Sequence, residues 1–519
     1  MQLNGDWDSG TRHRSKQKFP VVSLGMAIKL FSSPVNYNMQ KILNQINNQF
    51  LPPATGNYLP VYDPSRGIPY AEVPDSNEED LEAAVTAARA AFPAWSATTP
   101  QERHDLLMKL ADLIDREQDT LARMESIDNG KPLSLANSVD IPRAASNFRF
   151  FASAITQFSG AAHSMNQPDA INYTLRQPLG VVACIAPWNL PLYLFTWKIA
   201  PALAAGNTVV AKPSEVTPMT AFRLAQLSVK AGFPPGVLNI IHGTGAGIGN
   251  AISTHPQIKA ISFTGSTTVG GKIASLAAPR FKKLSLEMGG KNPNIIFADC
   301  DYEQMLETTL RSSFANQGQI CLCGSRIMVE RPLYEKFKKD FTEKTKQLIV
   351  GPPMDKETTT GAIVSELHLN KILGYFEIAL TEGGQFLTGG KRKILKAPYQ
   401  RGYYVEPTII EGLTADCRTN QEEIFGPVVT IMPFDKEAEV LDYANDIPYG
   451  LSATIWTQNL SRAHRMAKNI EAGIVWINTW MLRDLRTPFG GVKASGVGRE
   501  GGWEALRFFT EMKNVCIKW

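Results

Sequence analysis

The stretch Asn316-Gln317-Gly318-Gln319-Ile320-Cys321-Leu322-Cys323 offers a sulfur that can attack an electrophilic carbon, set just after two amides and a glycine. Upstream of it, Leu286-Glu287-Met288-Gly289-Gly290 leads a carboxylate straight into a glycine pair and supplies a candidate base. On the residues alone either Cys321 or Cys323 could be the reactive sulfur, and most free cysteines are simply small buried hydrophobes. Pro187-Trp188-Asn189-Leu190-Pro191 holds an amide between two prolines that restrict the local backbone. Such an amide can donate to a developing oxyanion, and it is equally good turn chemistry.

Three further stretches suit a dinucleotide. His242-Gly243-Thr244-Gly245-Ala246-Gly247-Ile248-Gly249 follows an apolar run and enters a helical one, so its backbone amides can approach a phosphate. Phe263-Thr264-Gly265-Ser266 repeats that pattern of strand end, glycine and hydroxyl. Lys212-Pro213-Ser214-Glu215 places a lysine and a carboxylate where ribose hydroxyls can be held, and Glu215 would repel a 2′-phosphate, favouring NAD over NADP. The acid precedes the glycine loop, whereas the dinucleotide fingerprint has it about 20 residues after. Glycine turns also join most α/β elements, so each of these stretches alone says little.

The elements around these motifs form a rhythm. Gln49–Pro52, Tyr58–Tyr62 and Ile68–Val73 read as short strands, the last two joined by the turn Asp63-Pro64-Ser65-Arg66-Gly67. Helices are expected from Asp75 to Ala91, from Pro100 to Asp115 with Thr99 as N-cap, from Gln118 to Asp128 with Gly130 as the stop, and from Pro142 to Phe158. Residues 160–179 read as a strand excursion between domains. Short apolar strands near 181–186, 208–211, 237–241 and 260–263 then alternate with helical segments at 192–205, 217–231 and 247–253, and a second such series spans 294–479. That alternation predicts parallel sheets covered by helices.

With 519 residues, 44% hydrophobic and 20% charged, the chain is too long for one core. Its net charge is +4, and Arg12, Arg14, Lys16, Lys18 and Lys29 against Asp6 and Asp8 place most of that in residues 1–40. No basic stripe indicates nucleic acid. Asn189, Lys198 and prolines interrupt the longest apolar region, 180–211, which argues against a membrane span. The six cysteines lack paired CxxC spacing, so neither a disulfide scaffold nor a metal site is expected, and a reducing, cytoplasmic setting fits. Residues 9–30 are basic, yet Asp6, Asp8 and the missing arginine stripe speak against a presequence; a disordered tail, or a start at Met26, is expected.

Taken in order, these motifs resemble the aldehyde dehydrogenase superfamily over about residues 45–515: Pro187-Trp188-Asn189, Lys212-Pro213-Ser214-Glu215, Phe263-Thr264-Gly265-Ser266, Glu287-Met288-Gly289-Gly290-Lys291, Gly318-Gln319-Ile320-Cys321, Glu422-Glu423-Ile424-Phe425-Gly426-Pro427 and Pro488-Phe489-Gly490-Gly491. Met288 stands where that family usually has leucine. The resemblance implies an α/β fold with a Rossmann-like NAD-binding domain (41–159 and 180–288), an α/β catalytic domain (289–495) and a small β oligomerisation arm (160–179 and 496–519), behind a tail at 1–40. It implies Cys321 as nucleophile, Glu287 as base, and Asn189 with the Cys321 amide as oxyanion hole. NAD is the implied cofactor, held by Trp188, Lys212, Ser214, Glu215, Gly245, Phe263, Thr264, Gly265 and Ser266, with Glu423 and Phe425 on the nicotinamide side.

Further stretches, Asp140-Ile141-Pro142-Arg143, Asn147–Phe151, Ser312–Gln317 and Trp480–Arg483, resemble the branch of that family acting on carboxylate-bearing semialdehydes. In that branch two arginines bind the substrate carboxylate, and they fall on Arg143 and Arg483, with Arg149 and Arg486 as neighbouring competitors and Phe489 beside the substrate. A guanidinium fork suits a carboxylate bidentately. A homodimer or homotetramer is implied. A CoA-acylating enzyme, a broad-range aldehyde dehydrogenase and a catalytically silent protein of the same fold stand as alternatives.

Overall fold

A computed structural model describes residues 39–519; the expected tail at 1–40, the presequence question and Met26 lie essentially outside them. The first sheet has eight strands in the order Gly496–Val497, Lys283–Glu287, Ile258–Thr264, Val181–Ile185, Thr208–Lys212, Leu238–Ile240, Asn44–Ile46, Gln49–Leu51. Its five central strands run parallel, and the three flanking strands, one on one side and two on the other, pair antiparallel. Alternation along Val181–Ile185 explains why helices cover both faces. Val182 and Cys184 pack with Leu107, Phe148, Phe195 and Leu224 on one side. Val181, Ala183 and Ile185 pack with Leu81, Val85, Ile252 and Ile273 on the other.

From Val181–Ile185 the chain steps outward through Thr208–Lys212 to Leu238–Ile240, then returns to the opposite side for Ile258–Thr264 and Lys283–Glu287. The switch therefore falls between Val181–Ile185 and Ile258–Thr264, and in such sheets ligands bind beyond the carboxyl ends of strands at that point. Register places Ile185 beside Lys212 and Thr264 beside Glu287, so all four dinucleotide and base motifs leave from one edge.

The second sheet orders Gln385–Thr388, Thr408–Glu411, Val428–Phe434, Arg326–Glu330, Pro293–Ile296, Ser452–Trp456 and Ile474–Ile477, parallel except at Gln385–Thr388. A third, antiparallel sheet joins Ala162–Asn166, Asp169–Pro178 and Thr510–Lys518. Of residues 496–519 only Thr510–Lys518 enters it; Gly496–Val497 pairs with Lys283–Glu287, and Gly502–Phe508 is a helix packed by Ala505 and Leu506 into the first core.

Local signals read from the sequence have clear counterparts. Thr99 caps the helix Pro100–Arg116 in a reciprocal capping box with Glu102. Gly130 adopts φ 83° where Gln118–Asn129 ends. Two elements differ from expectation. The segment after the glycine loop is a π-turn, Gly245–Gly249, continuing into the short helix Asn250–Thr254. The helix expected from Pro142 to Phe158 is Ile141–Ile155, entered through a π-turn at Ala136–Asp140. Among the described residues no helix is long and apolar enough to cross a membrane.

Candidate active site

Cys321 follows a tight turn in which Asn316 (φ 51°), Gln317 (φ 56°) and Gly318 (φ 68°) all lie in the left-handed region. Only glycine fits the third position, because a Cβ there would stand 2.0 Å from the Gly426 carbonyl oxygen. The amides before the cysteine are scaffolding. Gln317 Nε2 donates to Ala362 O (2.7 Å), Gln319 Oε1 accepts from Val364 N (3.1 Å), and Asn316 Nδ2 donates to Asn189 O (2.9 Å). Asn292 Nδ2 donates to both Cys321 O (2.7 Å) and Cys323 O (2.9 Å). Cys321 is partly exposed, while Cys323 is buried.

Asn189 Nδ2 donates one hydrogen to Gln319 O at 2.9 Å, which sets the amide against the nucleophile turn with its second N–H to spare. The Cys321 amide N–H donates to no described residue. Two donors thus stand ready for an oxygen bonded to the carbon that Cys321 would attack.

Glu287 is buried, and neither carboxylate oxygen has a hydrogen-bond partner among the described residues. Its pKa is driven well above the usual carboxylate range by burial and by Glu500, against Lys198, Arg499 and Arg483. The Cys321 thiol is pushed up to about 12 by burial and by the charges of Glu423 and Glu287, with Arg483 opposing. The Glu287 charge is thus among those that act on the Cys321 thiol, and Arg483 acts on both groups. Gly490 adjoins the carboxylate: a Cβ on it would lie 2.7 Å from Glu287 Oε1. Behind Glu287, Lys198 Nζ contacts Glu500 Oε1 (2.6 Å) and Ser262 Oγ (3.3 Å), and Ser262 Oγ donates to the same Glu500 oxygen (2.9 Å). Neither Lys198 nor Glu500 is a site residue by sequence reasoning, although a lone lysine inside the apolar helix Pro191–Ala204 was a readable signal.

The cofactor motifs gather on the other side of the strand ends. Lys212 Nζ lies 3.1 Å from Glu215 Oε2. Burial raises the Glu215 pKa, but Lys212 and the amides of Glu215 and Gly245 outweigh it, so the carboxylate is held below its ordinary range and ties the glycine turn to the strand end. Gly245 faces open space, and Thr264 Oγ1 is buried without a partner. Ser266 caps the eleven-residue helix Thr267–Ala277. Ser214 Oγ accepts from Val216 N (3.2 Å), and the Phe263 ring fills the space above Gly265. An unpartnered hydroxyl, an open glycine turn and an ionised ribose-side carboxylate fit a dinucleotide. Glu423 Oε1 accepts from Gly290 N (2.9 Å), and the bare Gly289 makes room for its other oxygen. Phe425 (φ 62°) meets Trp188 edge-on at 5.3 Å, and its carbonyl accepts from His368 Nε2 (2.7 Å).

Arg143 and Arg483 converge from different parts of the chain. Tyr193 and Trp197, one turn apart on Pro191–Ala204, present a single face to both. The Arg143 guanidinium sits 5.3 Å from the Tyr193 ring and 5.9 Å from Trp197, and Arg483 lies 5.3 Å from Trp197 and 4.1 Å from Phe489. Arg483 Nη1 donates to the Tyr193 hydroxyl at 3.0 Å. Nε and Nη2 of Arg143 are buried with no partner, and burial and then Arg483 lower its pKa. The competitors have acidic partners of their own: Arg149 pairs with Asp112 and Asp115, and Arg486 with Asp484. Among the described residues no group of His, Cys, Asp or Glu is placed to hold a metal.

This assembly has counterparts in known proteins. Residues 50–515 match the aldehyde dehydrogenase family. The 2-aminomuconic semialdehyde dehydrogenase of Danio rerio is 51% identical over 477 residues, covering 92% of this chain and 98% of the relative. The 2-hydroxymuconic semialdehyde dehydrogenase of Pseudomonas sp. (strain CF600) is 46% identical over 485 residues, covering 92% and 100%. The NAD+ complex of an aldehyde dehydrogenase from Bacillus cereus superposes with a TM-score of 0.90 at 40% identity, covering 92% and 97%. Nucleophile turn, buried carboxylate and dinucleotide edge occur together in a chain matched along nearly its whole described length, and the chain belongs to the aldehyde dehydrogenase family, as an NAD-dependent enzyme.

Proposed function

We propose that this enzyme oxidises a carboxylate-bearing semialdehyde of the 2-aminomuconic type to the corresponding acid. The observation that carries this reading is the arginine pair. Two guanidiniums share one aromatic wall without an acidic partner among the described residues, and Arg483 is among the charges that act on both Cys321 and Glu287. Part-buried cations without a counter-ion are costly, so a site that keeps two of them together favours an anion arriving with the substrate. The relatives named for 2-aminomuconic and 2-hydroxymuconic semialdehydes support the same class.

In this reading the Cys321 sulfur attacks the aldehyde carbon, and the oxygen takes up the spare N–H of Asn189 and the Cys321 amide. Lys212, Ser214, Glu215, Gly245 and the Phe263–Ser266 turn hold the adenosine and pyrophosphate of NAD, while Trp188, Glu423 and Phe425 flank the nicotinamide. NAD, when bound, supplies the hydride acceptor for the oxidation. Cys321 holds the carbon as a thiohemiacetal before that step and as a thioester after it. Glu287 takes a proton from water, the hydroxide adds to the thioester, and the sulfur leaves to give the acid; general base catalysis of this kind contributes about 10²–10⁴-fold. A hydrolytic base in this place sets the enzyme apart from one passing its acyl group to CoA.

Assembly into a homodimer or homotetramer is assigned to the sheet containing Thr510–Lys518, whose outer edge bears exposed Met512, Ile517 and Trp519. Six free cysteines suit a reducing compartment such as the cytoplasm.

The direct test follows NADH absorbance with a matched aldehyde pair, one ending in a carboxylate and one in a methyl group. The acidic aldehyde is expected to show kcat/KM higher by about 10²-fold; equal values would contradict the reading. A pH dependence follows too. Glu287 acts as its anion and its pKa is raised, and the thiol is raised as well, so kcat should climb as pH is raised from the ordinary carboxylate range toward the alkaline side. A flat kcat profile over that range would argue against a raised base.

A further inference from the structure

A buried ion cluster beneath Asn189 takes no part in the chemistry above. Lys131 is fully buried and hydrogen-bonds to Asp140; its Nζ lies 3.6 Å from Glu125 Oε1 and donates to the Asn189 backbone oxygen at 3.2 Å. That one oxygen also accepts from Asn316 Nδ2 (2.9 Å) and Asn129 Nδ2 (3.3 Å). Three donors from three separate elements converge on this one carbonyl and share its two lone pairs, which ties the Asn189 peptide to all of them at once.

Each carboxylate on Lys131 holds a different wall of the substrate site. Asp140 closes the π-turn Ala136–Asp140 and is the last residue before Ile141–Ile155, whose first turn carries Arg143. Glu125 Oε2 accepts from Leu192 N (3.3 Å) at the start of the helix bearing Tyr193 and Trp197. Asn147 locks the two helices together further along, through Tyr193 O and Thr196 Oγ1, both at 3.0 Å. One ammonium therefore reaches the oxyanion donor directly and, through one carboxylate each, the helix that carries Arg143 and the helix that carries the aromatic wall of Tyr193 and Trp197.

We propose that Lys131 is a positioning residue that fixes the separation between the oxyanion donor Asn189 and the arginine pair, so that the aldehyde oxygen and the distal carboxylate of one substrate are held at once. Such spacing has leverage, because misplacement by about 1 Å can cost about 10²-fold in rate. The Asn189 arm holds for any aldehyde; the Arg143 arm rests on the carboxylate reading above. Substituting Lys131 by an apolar residue of similar length is compatible with folding, since buried ion clusters are often replaceable by apolar side chains. Burial already pushes Glu125 up to about 7 and raises Asp140, so both can take protons once the ammonium is gone.

The test uses the full-length enzyme with NAD and the matched aldehyde pair. Lys131→Met is expected to lower kcat about 10- to 100-fold on both aldehydes, and to raise KM only for the acidic one. Asp140→Asn, which leaves the Lys131 contact to Asn189 in place, is expected to raise KM for the acidic aldehyde about tenfold and to lower kcat by less than about threefold. A folded Lys131→Met enzyme with kcat within about twofold of the parent on both aldehydes would overturn the assignment. If Lys131→Met does not fold, Asp140→Asn decides: an unchanged KM for the acidic aldehyde, or an equal rise for both, would overturn the link to Arg143. If instead the matched pair shows no carboxylate preference in the parent enzyme, the substrate reading fails while the kcat effect of Lys131→Met still tests the Asn189 arm.

Discussion

Arg143→Ala is expected to lower kcat/KM for a carboxylate-bearing aldehyde by about 10²-fold or more, and to change it by less than about threefold for the matched neutral aldehyde. The size follows from the surroundings. The substrate carboxylate would enter a pocket walled by Tyr193, Trp197 and Phe489, and with one guanidinium gone it would lose the fork whose Nε and Nη2 have no other partner. Leaving a buried charge with half its partners costs about 3–5 kcal/mol, or roughly two to four powers of ten in rate. Arg483→Ala should add to this less than additively, because the two guanidiniums share the Tyr193 contact and would share the proposed carboxylate ligand. A loss of equal size with both aldehydes would mean that Arg143 supports the fold rather than reads the substrate. Steady-state NADH formation measures both cases.

Cys321→Ala is expected to reduce turnover by at least about 10⁴-fold, the scale seen when a covalent nucleophile is removed. Cys323→Ala should retain most activity, since that sulfur is buried and its amide is spent on Ile320 O at 3.0 Å. The contrast matters because the two sulfurs stand two residues apart and burial pushes both thiols up to about 12. Arg483 is a further influence on Cys321 alone, in the direction that favours a thiolate. Full turnover in Cys321→Ala, with loss in Cys323→Ala, would exchange their roles.

Much of this site was legible in the chain because a parallel sheet brings strand ends together. Ile185, Lys212, Thr264 and Glu287 each end a short apolar run before a turn, and one edge of the sheet collects all four. The turn before Cys321 was legible as a motif but not as a shape: its amides are ties to residues 189 and 362–364, which no local pattern shows. Ion clusters were the least visible. Lys198 meets Glu500 across 302 residues, and Lys131 meets Asp140 through a π-turn that replaces the straightforward helix start expected at Pro142. Arg149 and Arg486 could be set aside only when their aspartate partners were in view. Register with a distant strand also decides which part of the C-terminal segment joins the arm. Thr510–Lys518 pairs with residues 170–178, while Gly496–Val497 is recruited by the strand that carries Glu287.

The account turns on a carbon passing from aldehyde to acid while bonded to Cys321, with Glu287 needed only for its release. The most direct measurement is the mass of the Glu287→Gln enzyme after mixing with NAD and the acidic aldehyde, followed by peptide mapping. The account predicts a single acyl group per chain, held on Cys321, with one equivalent of NADH formed rapidly and further turnover slowed by about 10²–10⁴-fold. Continuous turnover without a bound acyl group, or an acyl group on Cys323, would contradict it.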